Sequence, residues 1–257
     1  MKFDTNHFNP YFTLDHTISS YDVDVDKKLA IPQIFSLFQE IAYRHVVQTP
    51  WSWKALQNQG IAWVLSKIRI HIKQLPEWND RITIKTWPVG ADGLNAYRHF
   101  SVTDSGKREL LHADSSWLII DVQNRRLQRI DKEEFMAIVP EETIPVKRIA
   151  KIPAPSALTI YDTRYVRLND MDMNSHVNNA SYVEWALDTI PMDFYKLHTI
   201  TTVNVDFLKE VEYGEKVDII GDDEIKCIRY SGQDKDLCRV RFLWTPDNNK
   251  QTGNRLV

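Results

Sequence analysis

The chain has 257 residues, 32 Lys and Arg against 35 Asp and Glu, and a formal net charge of −3, which fits one large domain or two small ones. The near-neutral charge argues against a dedicated nucleic-acid binder. With 43% hydrophobic and 26% charged residues the chain is not wholly disordered, and no apolar run approaches the roughly 18 residues of a membrane span.

In chain order, Ile31–Tyr43 sets Ile34, Leu37, Phe38 and Ile41 at helical spacing behind Pro32, which predicts a helix. Trp63–Lys73 alternates apolar and polar from Ile68 to Ile72, Leu75–Asp80 breaks it, and Arg81–Trp87 alternates again. The two runs are predicted as neighbouring antiparallel strands. Ala96–Thr103 and Ala113–Val122 add strands around a turn at Asp104–Lys107. Residues 139–156 carry four prolines and little periodicity. They are predicted as a linker between a domain at 1–138 and a second at 157–257. Leu158–Leu168 then reads as a strand and Val177–Thr189 as a helix stopped by Pro191. Thr201–Leu208, Lys216–Ile220, Glu224–Tyr230 and Leu237–Trp244 read as strands, and the polar tail begins at Thr245.

The halves align with each other. Phe38–Ala42 matches Tyr182–Ala186 at an offset of 144, and Trp78–Ile84 matches Tyr213–Ile219 at 135, which implies about nine extra residues near Arg44–Gly60. Each half therefore reads as a helix covering one face of an antiparallel sheet, an α+β arrangement of the hot-dog type in which two units usually pair their sheets. At offset 144, Asp172, Asn174, His176 and Asn178 face Lys28, Ala30, Pro32 and Ile34, so the polar cluster is expected in the second half alone.

That cluster is Asn169–Asn179, in which seven of eleven residues are Asn, Asp or His. A plain structural reading is a turn and a helix cap. The functional reading starts from spacing: Asp172, Asn174 and His176 are two apart, and an extended segment would aim all three one way. A histidine can shuttle a proton near neutral pH, a carboxylate can orient it, and a helix start near His176–Val177 offers amides to a carbonyl oxygen.

The stretch D-M-D-M-N-S-H-V-N-N-A-S-Y-V-E-W-A resembles the D-x-D-x-N-x-H-V-N-N signature of the acyl-acyl carrier protein (acyl-ACP) thioesterases, a double hot-dog family of plant plastids and bacteria. K-I-R-I-H-I-K-Q-L-P-E-W-N-D-R-I-T-I-K-T-W resembles the family's strand–turn–strand, and F-L-K-E-V-E-Y-G-E-K-V its glutamate segment. The likeness implies hydrolysis of an acyl-ACP thioester to a free fatty acid. It makes Asp172, Asn174, His176 and Glu210 the catalytic residues, with Glu210 delivered from a second-half strand. Plant members have a cysteine directly after that glutamate. This chain has Val211 there, and neither Cys227 nor Cys238 fits the position, which speaks against a covalent cysteine route. No cofactor or metal is implied.

The first half is implied to set chain-length preference, with Ile34, Leu37, Phe38, Ile41 and Trp63, alongside Trp51 and Trp53, as candidates to line an acyl tunnel. The acidic carrier calls for a local basic patch, for which Arg125, Arg126, Arg129 and Arg148, with Lys147 and Lys151, are candidates. Three other readings compete: a hot-dog acyl-CoA thioesterase, a dehydratase and a non-catalytic acyl-binding module. The opening Met-Lys-Phe-Asp-Thr-Asn-His lacks a signal peptide's apolar core, and two cysteines are too few for a disulfide framework. The expectation is a cytoplasmic protein of the bacterial type, compatible with a homodimer.

Overall fold

The computed structural model describes residues 8–47, 49–143 and 148–247; Lys147 lies outside them. The chain divides into two units, Met1–Ala150 and Lys151–Val257.

The first unit runs β1 (Phe12–Thr17), α1 (Ile31–Val46), α2 (Trp53–Gln57), β2 (Ile61–Ile72), β3 (Arg81–Ala91), β4 (Asn95–Asp104), β5 (Glu109–Asp121), β6 (Leu127–Gln128) and α3 (Lys132–Met136). Its sheet is antiparallel in the order β1-β3-β4-β5-β2, with β6 on the far end of β5. The predicted pairing of β2 with β3 is therefore wrong. Both alternating runs are strands, but β4 and β5 lie between them. The connection from Lys73 to Asp80 does not turn back as a hairpin. It bonds instead to the chain ahead of α1: Leu29 N–H donates to the Pro76 carbonyl (2.8 Å), Trp78 N–H to Lys27 (2.9 Å) and Asn79 N–H to Ile18 (2.9 Å).

Helix α1 carries Pro32 in its first turn, which its fixed φ suits, and Arg44 in its last, where a cation is favourable at the negative end of the helix dipole. Its buried stripe is Ile31, Ile34, Phe35, Phe38, Ile41, Ala42 and His45, and Phe38 stacks on Phe100 of β4 with centroids 4.3 Å apart. A separate core group joins Trp51, Leu56, Ile119, Ile130, Phe135 and Ile138, with Trp63 packed against it. The sequence reading did not anticipate the short α2, capped by Ser52, or α3, capped by Asp131.

One buried polar group in this unit carries a pH prediction. Arg98 is 7% exposed and donates through Nη1 to His45 Nδ1 (3.0 Å) and Thr86 Oγ1 (3.1 Å). His45 Nε2 then donates to the Asn9 carbonyl (3.1 Å), and Phe8 stacks on its ring. Burial first, and the Arg98 guanidinium second, push His45 down from 6.5 to about 4. As pH falls below about 6.5 the unfolded chain takes up this proton and the native chain does not, so native stability declines until about pH 4. The unfolding midpoint in denaturant should be lower at pH 5 than at pH 7, and His45→Gln should narrow that difference. An unchanged pH dependence in the variant contradicts the assignment.

The second unit runs β7 (Thr159–Tyr165), α4 (Asn179–Leu187), α5 (Met192–Tyr195), β8 (His198–Phe207), β9 (Lys216–Gly221), β10 (Ile225–Tyr230) and β11 (Asp236–Pro246). Its antiparallel order, β7-β9-β10-β11-β8, repeats that of the first unit strand for strand. Helix α4 packs against β10 and β11 and buries Tyr182, Val183, Trp185 and Ala186. The turn from β9 to β10 needs Gly221, where φ is +151° and a Cβ would stand 2.0 Å from the Ile225 carbonyl oxygen.

The proline-rich segment is fastened along each unit. Lys67 Nζ donates to the Ile149 carbonyl and Arg69 to Ala150. In the second unit, Ile152 N–H donates to Asp206 and Ser156 N–H to Asp222.

Hydrogen bonds also correct the alignment of the two copies. Val23 bridges Leu29, as Met171 bridges Val177, 148 positions later. The helix caps, Ala30 and Asn178, stand 148 apart as well. The register of β1 on β3 and of β7 on β9 makes Thr17 the counterpart of Tyr165, again at 148. The offset of 144 was a slip of one helical turn. Four residues are close to the 3.6-residue period, so the apolar faces match at either offset. Thirteen extra residues, not nine, then lie in the first copy between helix cap and β3, much of them in α1, which has 16 residues against nine in α4.

Candidate active site

The Asn- and Asp-rich segment is a tight turn, not the extended run its spacing suggested. Asp172 N–H donates to the His176 carbonyl (2.8 Å), Ser175 N–H donates to the Asp172 carbonyl (3.1 Å), and Ser175 takes φ 62°. The Asp172 carboxylate fills the turn. Its Oδ1 accepts from Asn174 N–H (2.8 Å) and His176 N–H (3.3 Å), and its Oδ2 accepts from Asn174 Nδ2 (3.3 Å). Asx side chains close turns in this way because they can satisfy backbone donors two residues on.

Two anchors hold the turn against α4. Asp170 accepts from Arg167 N–H (2.6 Å) and from the indole of fully buried Trp185 (3.2 Å), while its carbonyl takes Asn178 N–H (2.7 Å) and the Ser181 hydroxyl (3.1 Å). The helix starts at Asn179, two residues later than predicted, and Asn178 caps it by accepting from Ala180 N–H (2.9 Å). The cap consumes one of the amides expected to face a substrate. Asn179 N–H remains at the helix start without an acceptor among the described residues.

Glu210 lies beyond the end of β8, in the loop to β9, and so is not on a strand as the resemblance implied. Buried Val211 fixes it, with its carbonyl accepting from Val177 N–H (3.1 Å). This backbone bond fastens the Glu210 loop to the turn. The Glu210 Oε2 stands 3.5 Å from His176 Nε2, and both side chains are partly open to solvent. Asn174 is exposed at the tip of the turn. The structure thus brings Asp172, Asn174, His176 and Glu210 into one stretch of surface. A carboxylate beside an imidazole can accept a proton from water and hold the charge it gains.

The first unit contains the same turn. At offset 148, Asp24, Asp26 and Lys28 replace Asp172, Asn174 and His176. Asp24 N–H donates to the Lys28 carbonyl (2.8 Å), Asp24 Oδ1 accepts from Asp26 N–H (2.8 Å) and Lys28 N–H (3.2 Å), and Lys27 takes φ 60°. Leu29 N–H meets Pro76 as Val177 N–H meets Val211, which puts Leu75 opposite Glu210. The expectation of a polar cluster in one copy only is corrected. Both copies carry the Asp-built turn, and the second adds the His176–Glu210 pair, Asn174 and the Asn178 cap.

The other singled-out residues fall as follows. Ile34, Phe38 and Ile41 are buried in the α1 stripe, Leu37 is half-buried, and Trp63 belongs to the Trp51 and Phe135 group. Arg125, Arg126 and Arg129 are exposed around the β5–β6 turn, and Arg148 is exposed near Tyr97. Cys227 and Cys238 are buried free thiols, and burial pushes Cys227 up to about 12. A thiol held protonated is a poor nucleophile. No group of three or more His, Cys, Asp or Glu side chains among the described residues could hold a metal ion, and no helix among them is long and apolar enough to cross a membrane.

Comparison with known proteins matches this division of the chain. Residues 10–139 match the acyl-ACP thioesterase N-terminal domain and residues 158–253 the acyl-ACP thioesterase C-terminal domain. The chain is 28% identical over 220 residues to oleoyl-acyl carrier protein thioesterase 2 of Arabidopsis thaliana, covering 78% of this chain and 60% of that protein. It is 29% identical over 224 residues to dodecanoyl-[acyl-carrier-protein] hydrolase of Cinnamomum camphora, covering 80% of this chain and 58% of that one. The chain therefore spans about 60% of the length of these two curated relatives. Among solved structures, an acyl-ACP thioesterase from Bacteroides thetaiotaomicron superposes with a TM-score of 0.83 at 20% identity, over 92% of this chain and 98% of that one. The 12:0-ACP thioesterase of Umbellularia californica gives 0.79 at 20% identity, over 93% and 98%. The fold is α+β, with two units of the hot-dog type. The chain belongs to the acyl-ACP thioesterase family.

Proposed function

We propose that the protein hydrolyses the thioester of acyl-ACP, releasing a free fatty acid and ending chain elongation. The observation that carries this reading is the Glu210 carboxylate 3.5 Å from the His176 imidazole in the part of the chain that matches the family's C-terminal domain. Glu210, with His176 beside it, takes a proton from water as the water oxygen bonds to the acyl carbon. Asn174 positions the water or the carbonyl, and Asp172 orients the cluster by holding its turn. The Asn179 N–H faces the developing oxyanion at the start of α4. The carbon–sulfur bond then breaks, the carrier thiolate regains a proton, and the fatty acid leaves.

In this reading the first unit supplies the acyl-chain surface, from Ile34, Leu37, Phe38, Ile41 and Trp63. The exposed Arg125, Arg126, Arg129 and Arg148 receive the acidic carrier. The buried free thiols suit a reducing compartment, and we read the protein as cytoplasmic.

The test is a rate comparison. Purified protein should release free fatty acid from acyl-ACP with a higher kcat/KM than from the coenzyme A ester of the same acyl group. Equal or inverted preference would favour an acyl-CoA thioesterase, and no release from either would reject hydrolysis.

A further inference from the structure

We propose that the cleft beside Glu210 seats the phosphodiester through which a phosphopantetheine arm joins its carrier, with Lys209 and Lys216 as the groups that recognise it. This inference rests on the thioesterase reading and adds a subsite to it.

The cleft has a volume of about 560 Å³ and is lined by Lys209, Glu215, Lys216, Tyr230, Ser231 and Gln233. Lys209, Lys216, Ser231 and Gln233 can each donate a hydrogen bond into it, and two of these four are cationic. Neither ammonium has a carboxylate within 4 Å among the described residues. Aromatic faces steady them instead: Lys209 Nζ lies 4.9 Å from the Tyr230 ring centroid and Lys216 Nζ 5.9 Å from that of Tyr165. The one acid in the lining, Glu215, is already engaged by Glu212 N–H (2.8 Å). A donor-rich surface carrying two ammonium groups with no close carboxylate partner is complementary to a phosphate anion.

Placement ties the cleft to the reaction. Lys209 directly precedes Glu210, and the Tyr230 hydroxyl donates to the Glu210 carbonyl (3.3 Å). The substrate in this reading is a thioester at one end of an extended arm with a phosphate at the other, so a site for the thioester implies a second site for the phosphate, one arm's length from the reacting carbon. The internal repeat provides a control. At the positions of Lys209 and Glu210 the first unit has Gln74 and Leu75, whereas Arg81 stands opposite Lys216. One cationic position is common to both copies, and the second, Lys209, occurs where the Glu210–His176 pair does.

The test compares two probes that differ only in the phosphate, a non-hydrolysable alkyl thioether of phosphopantetheine and the same thioether of pantetheine. Calorimetry on the whole chain should show the phosphorylated probe binding at least about 10-fold tighter. That preference should shrink with added salt and fall toward unity in Lys209→Ala/Lys216→Ala, while Lys209→Arg keeps most of it. Equal binding of the two probes by the wild type, or an undiminished preference in the double variant, overturns the proposal. Turnover of the matching acyl thioesters is measured in parallel. Phosphate preference without turnover would sink the hydrolase reading and leave the anion site standing, and turnover without phosphate preference would do the reverse.

Discussion

Replacing His176 or Glu210 by alanine should lower kcat by about 10²–10⁴-fold, the range that positioned acid–base groups typically supply. In the proposed mechanism water is a poor nucleophile until a base accepts its proton, and Glu210 is the carboxylate placed to do so. Its neighbour His176, at 3.5 Å, holds the charge that moves. The separation is longer than a tight hydrogen bond, as is common before substrate closes a site. Glu210→Gln keeps the shape and removes the base, so it should lose nearly as much as Glu210→Ala. The double variant should lose little more than the worse single one, because groups acting as a unit are not additive. Both side chains are partly exposed, so thermal midpoints should stay near that of the parent. Turnover within a few-fold of the parent in both single variants would dismiss the pair as the hydrolytic centre.

How much of this was legible in the sequence differs from element to element. Helix α1 was readable because Ile34, Phe38 and Ile41 repeat at a helical period and must face one way. Strands β2 and β3 were readable as strands and misassigned as partners. Alternation reports that one face is buried and says nothing about which neighbour supplies the backbone bonds. Only the bonds that join Pro76 and Trp78 of the β2–β3 connection to Leu29 and Lys27 show why the chain crosses the sheet end there. The repeat was legible and its register was not, since a one-turn slip along a helix costs the apolar pattern almost nothing. The polar cluster stood out by composition, yet its spacing suggested an extended segment where the Asp172 carboxylate closes a turn. The signal for that turn was present in the first copy as D-V-D-V-D-K-K-L-A, and the offset of 144 hid it. Glu210 came from family likeness alone, because no local pattern marks a loop glutamate that Val211 and Val177 hold in place.

The repeated turn makes possible a paired experiment that separates scaffold from chemistry. Asp24→Ala and Asp172→Ala each remove a carboxylate that accepts two backbone N–H groups in the same geometry. Each should therefore cost a similar amount of stability, about 1 kcal/mol, for backbone donors left without their acceptor. Their effects on turnover should diverge. In the second copy the turn carries Asn174 and presents His176 to Glu210, and a displacement of about 1 Å in such a group can cost ~10² in rate. Asp172→Ala should lower kcat at least that far. In the first copy the corresponding side chains are Asp26, Lys28 and Leu75, which cannot activate water as a pair, so Asp24→Ala should change kcat by less than about threefold. The stability measurement makes the comparison fair, because it shows that both turns were disturbed to the same degree. If the two variants lost activity equally, the hydrolytic centre would depend on both turns alike, and its assignment to the second copy would have to be abandoned.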